Sequence, residues 1–295
     1  MSKQIHSTFF DTDCWPAPGK LNLFLHITGR RDDGYHLLQT MFQFFDYGDS
    51  LYFDINNNGQ LKRLTDIDGV SEEQDLIIRA AKMLQETSGC SKGVDIKLSK
   101  RLPMGGGIGG GSSDAATTLV ALNQLWGVNM NLDELAKIGI KLGADVPIFI
   151  HGQAAWAEGI GEKINYLDTT EPYYLIIKPD CSVPTAQIFS HPGLTRDSQK
   201  LKMSAFRRGL GNDCEEVVRS LYPQVAEALD WLSGYQTAEL TGTGACIFAA
   251  FDTKEQAEKV AGKAPAKWDT IVARGLNCSP LNIRAQKVNS KISAQ

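Results

Sequence analysis

Alternation of apolar and polar residues marks the first element. From Lys20 to Leu25 the leucines at 21, 23 and 25 fall on one side of an extended chain, which puts Lys20 and Asn22 together on the other. Met41–Asp54 reads as strand material around a turn at Tyr47-Gly48-Asp49, and Val94–Leu98 alternates as a half-buried strand does. Helical spacing takes over at Asp75–Glu86, where Leu76, Ile77, Ala80, Ala81 and Leu84 form one apolar side. It returns in Asp114–Trp126 and in Asp133–Leu142, the latter closing at Gly143. Val146–Ile150 is an apolar run read as a strand, and Ala154–Gly161 a strand entering a turn. Tyr173–Lys178 and Asp269–Gly275 are further strands, and Lys254–Ala261 is a helix capped by Gly262. Asn212–Ser233 is one long helix or two, with Pro223 as the break. Met1–Asp13 has no period and is expected to fray; Gln199–Gly211 is polar and basic and expected to move. A soft boundary at Gly161–Pro172 divides the chain into residues 1–165 and 166–295.

Between the strand at Val94 and the helix at Asp114 lies the densest glycine stretch. Of the eleven residues Pro103, Met104, Gly105, Gly106, Gly107, Ile108, Gly109, Gly110, Gly111, Ser112 and Ser113, six are glycine. Ordering so much glycine is costly, and it makes sense where the backbone itself approaches a ligand. A strand, a glycine loop and a helix N-terminus present free N–H groups and the positive end of a dipole, which suits phosphate. The P-loop pattern ends in Gly-Lys-Ser/Thr, and no lysine follows Gly110 here. Gly105, Gly107 and Gly110 satisfy the dinucleotide spacing almost automatically, without the βα context that gives it meaning. The later H-R-D and D-F-G elements of protein kinases are absent. A flexible linker does not suit flanks that read as strand and helix.

Other candidate residues each have a bland alternative. Lys20 and Asn22 suit a functional face or a solvated one. Tyr35 and His36 end the charged turn Gly29–His36, where an exposed ring suits a stacking platform for a planar base or folds back onto its own domain. Asp145, between the Gly143 cap and the apolar run, suits catalysis or local backbone capping. Phe189 suits a binding site or the core. Leu240–Ala249, with Gly242 and Gly244, is a second glycine turn leading into a strand.

The stretch Pro103–Ala116 resembles the phosphate loop of the superfamily of galactokinase and the homoserine, mevalonate and phosphomevalonate kinases. Pro18-x-Lys20-x-Asn22, Leu142-Gly-Ala-Asp145-Val-Pro147 and the second glycine turn extend the resemblance from about Trp15 to Leu281. It implies a two-domain α+β fold, with an N-terminal domain like ribosomal protein S5 domain 2, a ferredoxin-like C-terminal domain and the active site in the cleft. It further implies transfer of the γ-phosphoryl of ATP to the 2-hydroxyl of a cytidine diphosphate methylerythritol, with Asp145 as general base and Lys20 as its electrostatic partner. The loop residues 103–113 would hold ATP. Asn22, Tyr35, His36, Thr185 and Phe189 would hold the substrate, with the cytosine between Tyr35 and Phe189. Magnesium is implied with ATP; Ser112 or Ser113 is the nearest candidate to touch it, and no carboxylate pair stands out as a metal site. The resembling family usually starts the Asp75 helix with asparagine, and some close relatives follow the Phe189 aromatic with lysine, where this chain has Asp75 and Ser190.

Composition narrows the alternatives. Thirty basic against 34 acidic residues leave a net charge of −4 and a pI near 5.8, unlike a general nucleic-acid binder. That weighs against an S5-like RNA-binding module, and the Gly-Tyr-His turn weighs against mevalonate or homoserine as substrate. No long apolar run or signal-peptide pattern is present. The six cysteines lack metal spacing and are expected to be free thiols of a cytoplasmic protein, a monomer or weak homodimer.

Overall fold

The computed structural model describes residues 13–67, 69–71 and 73–292, so all but the last residue of the expected frayed start lies outside it. In the N-terminal half, β1 (Trp15–Arg30), β2 (His36–Asn56) and β3 (Leu61–Arg63) precede α1 (Leu76–Ser88) and β4 (Gly93–Ser99). Then come α2 (Gly110–Leu125), α3 (Leu132–Gly139), α4 (Val146–His151), β5 (Ala155–Gly159) and β6 (Lys163–Tyr166). The C-terminal half holds β7 (Tyr173–Lys178), α5 (Thr185–Ser190), α6 (Glu215–Leu221), α7 (Pro223–Ser233), β8 (Ala238–Leu240), β9 (Ile247–Phe251), α8 (Lys254–Ala261), β10 (Asp269–Leu276) and α9 (Pro280–Ile292).

β2 is the spine. One edge pairs with β1 along almost its whole length, while the other is shared by β4, β10 and β5. Among the described residues β1 has no second strand partner, so Pro16 and Pro18 sit where a missing N–H costs no ladder bond. The turn expected at Tyr47-Gly48-Asp49 is absent, for β2 runs straight through it. Gly48 serves close approach instead: a Cβ there would lie 2.2 Å from the Ala17 carbonyl oxygen. β1 crowds in because its register slips between Pro18 and Lys20.

α2 is buried from Ser113 to Asn123, enclosed by α1, α4, β1, α3 and α9 rather than carrying one apolar stripe. Its polar side chains bond inward: Thr117 donates to the Pro16 carbonyl at 3.1 Å and Thr118 to that of Asp114 at 2.8 Å. The expected strand at Val146–Ile150 is the helix α4. All five of those residues are buried, so no alternation or helical stripe distinguishes the two readings.

In the C-terminal half, β7, the helices α5–α7, β8, β9, α8 and β10 follow one another as β-α-β-β-α-β. Their antiparallel order β10-β7-β9-β8 is the ferredoxin-like arrangement. β10 also pairs with β2 through Gly275 and Leu276, joining both halves in one sheet. α9, unread in the sequence, returns to the N-terminal half and buries Leu281 in its core. Pro223 opens α7 and separates it from α6. The basic segment before α6 is tied down by Arg208, which donates to the Tyr174 hydroxyl and, at 2.9 Å, to the Thr170 carbonyl. Among the described residues no helix is long and apolar enough to cross a membrane.

Candidate active site

The glycine loop owes its path to backbone that other residues rarely adopt: Gly105, Gly107 and Gly109 have φ of +67°, +75° and +75°. The second glycine turn clamps it from the C-terminal half. Ala245 N–H donates to the Gly105 carbonyl at 3.2 Å and Cys246 N–H to that of Gly106 at 3.0 Å. A Cβ at Gly107 would lie 2.5 Å from the Thr241 carbonyl oxygen, so the protein itself, ahead of any ligand, forbids a side chain there. Gly109 is the N-cap of α2, and the free N–H groups of the helix start at that point.

β1 brings Lys20 under this loop, with its N–H on the Ile108 carbonyl at 3.0 Å. Its ammonium donates to Asn22 Oδ1 at 2.6 Å and to the Gly107 carbonyl at 3.0 Å, and lies 3.3 Å from Asp145 Oδ2. Lys20 is 3% exposed and Asp145 36%. Asn22 is fixed in turn, donating through Nδ2 to Thr40 Oγ1 and through its backbone N–H to Thr241 Oγ1, each at 2.9 Å. Asp145 precedes α4 as its N-cap residue, yet its carboxylate makes no capping bond. The local-capping alternative therefore does not describe it; the side chain is left to Lys20 and the cleft.

Two clefts flank the loop. One, about 370 Å³, is lined by Lys20, Asn22, Asp145, Thr185 and Phe189 together with Thr40, Gly161 and Thr243. The other, about 380 Å³, is lined by Pro103–Gly111, Lys100, Asp114 and the start of α1. Gly107, Gly109 and Ser112 belong to both walls. Ser113 belongs to neither: its hydroxyl donates to the Pro18 carbonyl at 2.7 Å and its N–H to that of Gly109 at 2.8 Å. Met104 is 53% exposed at the rim. Asp75 is buried as the N-cap of α1, accepting from Ile77 N–H at 2.9 Å and paired with Arg63.

The sequence reading missed a second lysine centre beneath the loop. Lys100 donates to Asp49 Oδ2 at 2.6 Å and to Asp114 Oδ2 at 2.8 Å. Asp49 also accepts from the N–H groups of Arg101 and Leu102 at 2.5 and 2.7 Å, which anchors the chain just before the loop. Burial and the neighbouring Asp49 push the Asp114 carboxyl up to about 8. These residues stand 51 and 14 positions apart, so no local spacing announces them.

Phe189 lines the first cleft, and His36, which does not line it, stacks on Phe189 with centroids 5.0 Å and planes 22° apart. Tyr35 beside it is 61% exposed, and Thr185 shares a 2.9 Å hydrogen bond with Thr243. None of the six cysteines is in a disulfide, and burial raises Cys246, beneath the loop, to about 12.

Comparison with known proteins defines the class. A family model described as GHMP kinases N terminal domain matches residues 75–153, and one described as GHMP kinases C terminal matches residues 195–270. The chain belongs to the GHMP kinases, with the α+β fold that the resemblance implied, and is a small-molecule kinase. Within that class, a Nitrosococcus oceani protein named 4-diphosphocytidyl-2-C-methyl-D-erythritol kinase is 56% identical over 268 residues, 90% of this chain and 96% of its own. A crystal structure titled 4-(cytidine 5'-diphospho)-2C-methyl-D-erythritol kinase matches with a TM-score of 0.78 at 29% identity, over 88% of this chain and 98% of that one. The Methanococcus jannaschii mevalonate kinase, 14% identical with a TM-score of 0.64 over 89% of this chain and 97% of its own, shows likeness of fold alone.

Proposed function

We propose that the protein transfers the γ-phosphoryl group of ATP to the 2-hydroxyl of 4-diphosphocytidyl-2-C-methyl-D-erythritol, in the non-mevalonate route to isoprenoid precursors. The observation that carries this reading is the Lys20–Asp145 pair, 3.3 Å apart where the two clefts meet at the glycine loop. Nucleotide in the 380 Å³ cleft would lay its phosphates along the loop and the start of α2. An alcohol in the other cleft would then face the γ-phosphorus.

Phosphoryl transfer of this kind is mostly positioning and charge stabilisation. The alcohol oxygen forms the bond to phosphorus as the bond to the ADP oxygen breaks. The alcohol's proton passes to an Asp145 oxygen as bonding to phosphorus acidifies the hydroxyl. Lys20 offsets the charge on the transferring group, and Asn22 and the Gly107 carbonyl hold its ammonium in place. The donor set suits magnesium carried on ATP, which keeps several waters and takes only one or two protein oxygens. The Ser112 hydroxyl and the Asp145 carboxylate are side-chain oxygens on the shared wall that could hold it. Bound there, the ion would neutralise phosphate charge.

The chain's 51–56% identical relatives with this named activity and the Phe189 ring of the cleft, with His36 stacked on it, favour a cytidine substrate. A coupled ADP-release assay against this compound, mevalonate and homoserine tests the proposal. ADP release is expected with the cytidine compound only; turnover of mevalonate or homoserine in its place would reassign the substrate.

A further inference from the structure

Asn212 stands just before α6, half-buried, with its whole carboxamide in use. Its Nδ2 donates to the Leu240 carbonyl at 2.9 Å and to the Gly242 carbonyl at 2.8 Å. Its Oδ1 accepts from the Cys214 N–H at 2.9 Å, where α6 begins. An asparagine amide has two N–H donors, and here both go to the second glycine turn, on either side of Thr241.

Thr241, between those two carbonyls, meets β1 and the glycine loop. Its hydroxyl accepts from the Asn22 N–H, and its carbonyl oxygen stands 2.5 Å from where a Cβ on Gly107 would be. Further along, the same turn sends the Ala245 and Cys246 N–H groups to the Gly105 and Gly106 carbonyls. The backbone around Asn212 is fastened to β1 as well. Leu25 N–H donates to the Gly211 carbonyl at 3.1 Å, and Asp213 N–H donates to the Leu25 carbonyl at 2.9 Å. Asp213 Oδ2 in turn accepts from the Ile27 N–H at 2.6 Å. One side chain thus ties the strand that bears Lys20 to the turn that grips the loop, yet it lines neither cleft.

We infer that Asn212 is a positioning residue for phosphoryl transfer, which sets the second glycine turn and, through it, the Gly107 carbonyl against the Lys20 ammonium. The inference rests on the reading of Lys20 and the glycine loop given above. The Gly107 carbonyl accepts from that ammonium at 3.0 Å, so a turn that drifts takes the Lys20 charge with it. Misplacement by about 1 Å, caused far from the chemistry, is enough to slow an enzyme by about a hundred-fold. Aspartate at this position would keep the shape and the acceptor for Cys214, and would have no donor for the two carbonyls.

Hydrogen exchange and a double-mutant cycle test this in the full-length protein. Asn212→Asp and the smaller Asn212→Ser both keep an acceptor for the Cys214 N–H and lose the paired donors. In either variant the Ala245 and Cys246 amides should exchange about ten-fold to a hundred-fold faster, as loss of two ordinary hydrogen bonds implies, while those of α7 keep their protection. Turnover at saturating ATP and cytidine substrate should fall by about ten-fold or more. In a Lys20→Met background the same substitution should slow turnover by no more than about two-fold, because the group it acts through is gone. Unchanged exchange at Ala245 and Cys246 would overturn the proposal. Faster exchange spread evenly over α7 as well, or equal losses of turnover with and without Lys20, would mark a merely structural role and overturn it too. Normal turnover of Lys20→Met, with exchange at the turn faster in the Asn212 variants, would instead refute the reading of Lys20 and with it the positioning role.

Discussion

The glycine loop lies between two lysines with different surroundings. Lys20, almost wholly buried, faces a carboxylate that is 36% exposed on a cleft. Lys100 is itself 25% exposed, yet both of its carboxylates, Asp49 and Asp114, are buried. In the first pair the acid is the partner that ligands can reach, as proton transfer requires. In the second the acids hold backbone and cation together, and their cost of desolvation is tolerable only while each keeps its partners. The same residue types thus divide into a reactive pair and a fastening, and exposure of the carboxylate is what separates them.

The comparison is broken most forcefully by removing Asp49. Asp49→Ala leaves Lys100 and two backbone N–H groups short of an acceptor, and should cost about 3–5 kcal/mol of folding stability in denaturant titrations. Asp145→Asn, by contrast, should change stability by no more than about 1 kcal/mol, because one side of its pair is open to water. Equal losses in the two variants would erase the distinction.

A smaller effect is expected beside the stacked rings of His36 and Phe189. Tyr35→Ala should weaken the cytidine substrate by about ten-fold to a hundred-fold, as loss of one base–aromatic stack does. ATP affinity should hardly change, and a fall in it would move Tyr35 to the other cleft. In the structure His36 already covers one face of Phe189, so the base meets a ring that is partly occupied.

A further test concerns Asp114 and pH. Its folded carboxyl keeps a proton up to about pH 8, whereas in the unfolded chain it loses it near the ordinary 3.8. Across that window the folded state binds the extra proton, so this group's contribution to stability falls as pH rises. Asp114→Asn removes that slope, and its melting temperature relative to wild type should climb between pH 5 and 8. A parallel pair of curves would show that Asp114 is ionised throughout.

What could be read from sequence follows from how far apart the informative residues lie. Lys20 and Asn22 share a strand face, and the strand, glycine loop and helix are contiguous, so both were legible. Asp145 was legible as a site candidate but not in its setting, because a run buried on every side carries no period. The Lys100 centre and the Asn212 bonds to the second glycine turn are assembled by the tertiary fold alone. Ser113 shows the converse: a motif residue whose groups are both taken up by the protein.

The central claim is that Asp145 takes the alcohol's proton with Lys20 beside it. Turnover of Asp145→Asn at saturating ATP and substrate tests this most directly. The variant keeps size and a hydrogen-bond acceptor but cannot take the proton. Its turnover should fall by about 10²–10⁴-fold with affinities for both substrates little changed. Lys20→Met should also be slow, and the double variant far less than additive, because the two act as a unit. Near-normal turnover in Asp145→Asn would contradict the account and leave catalysis to positioning alone.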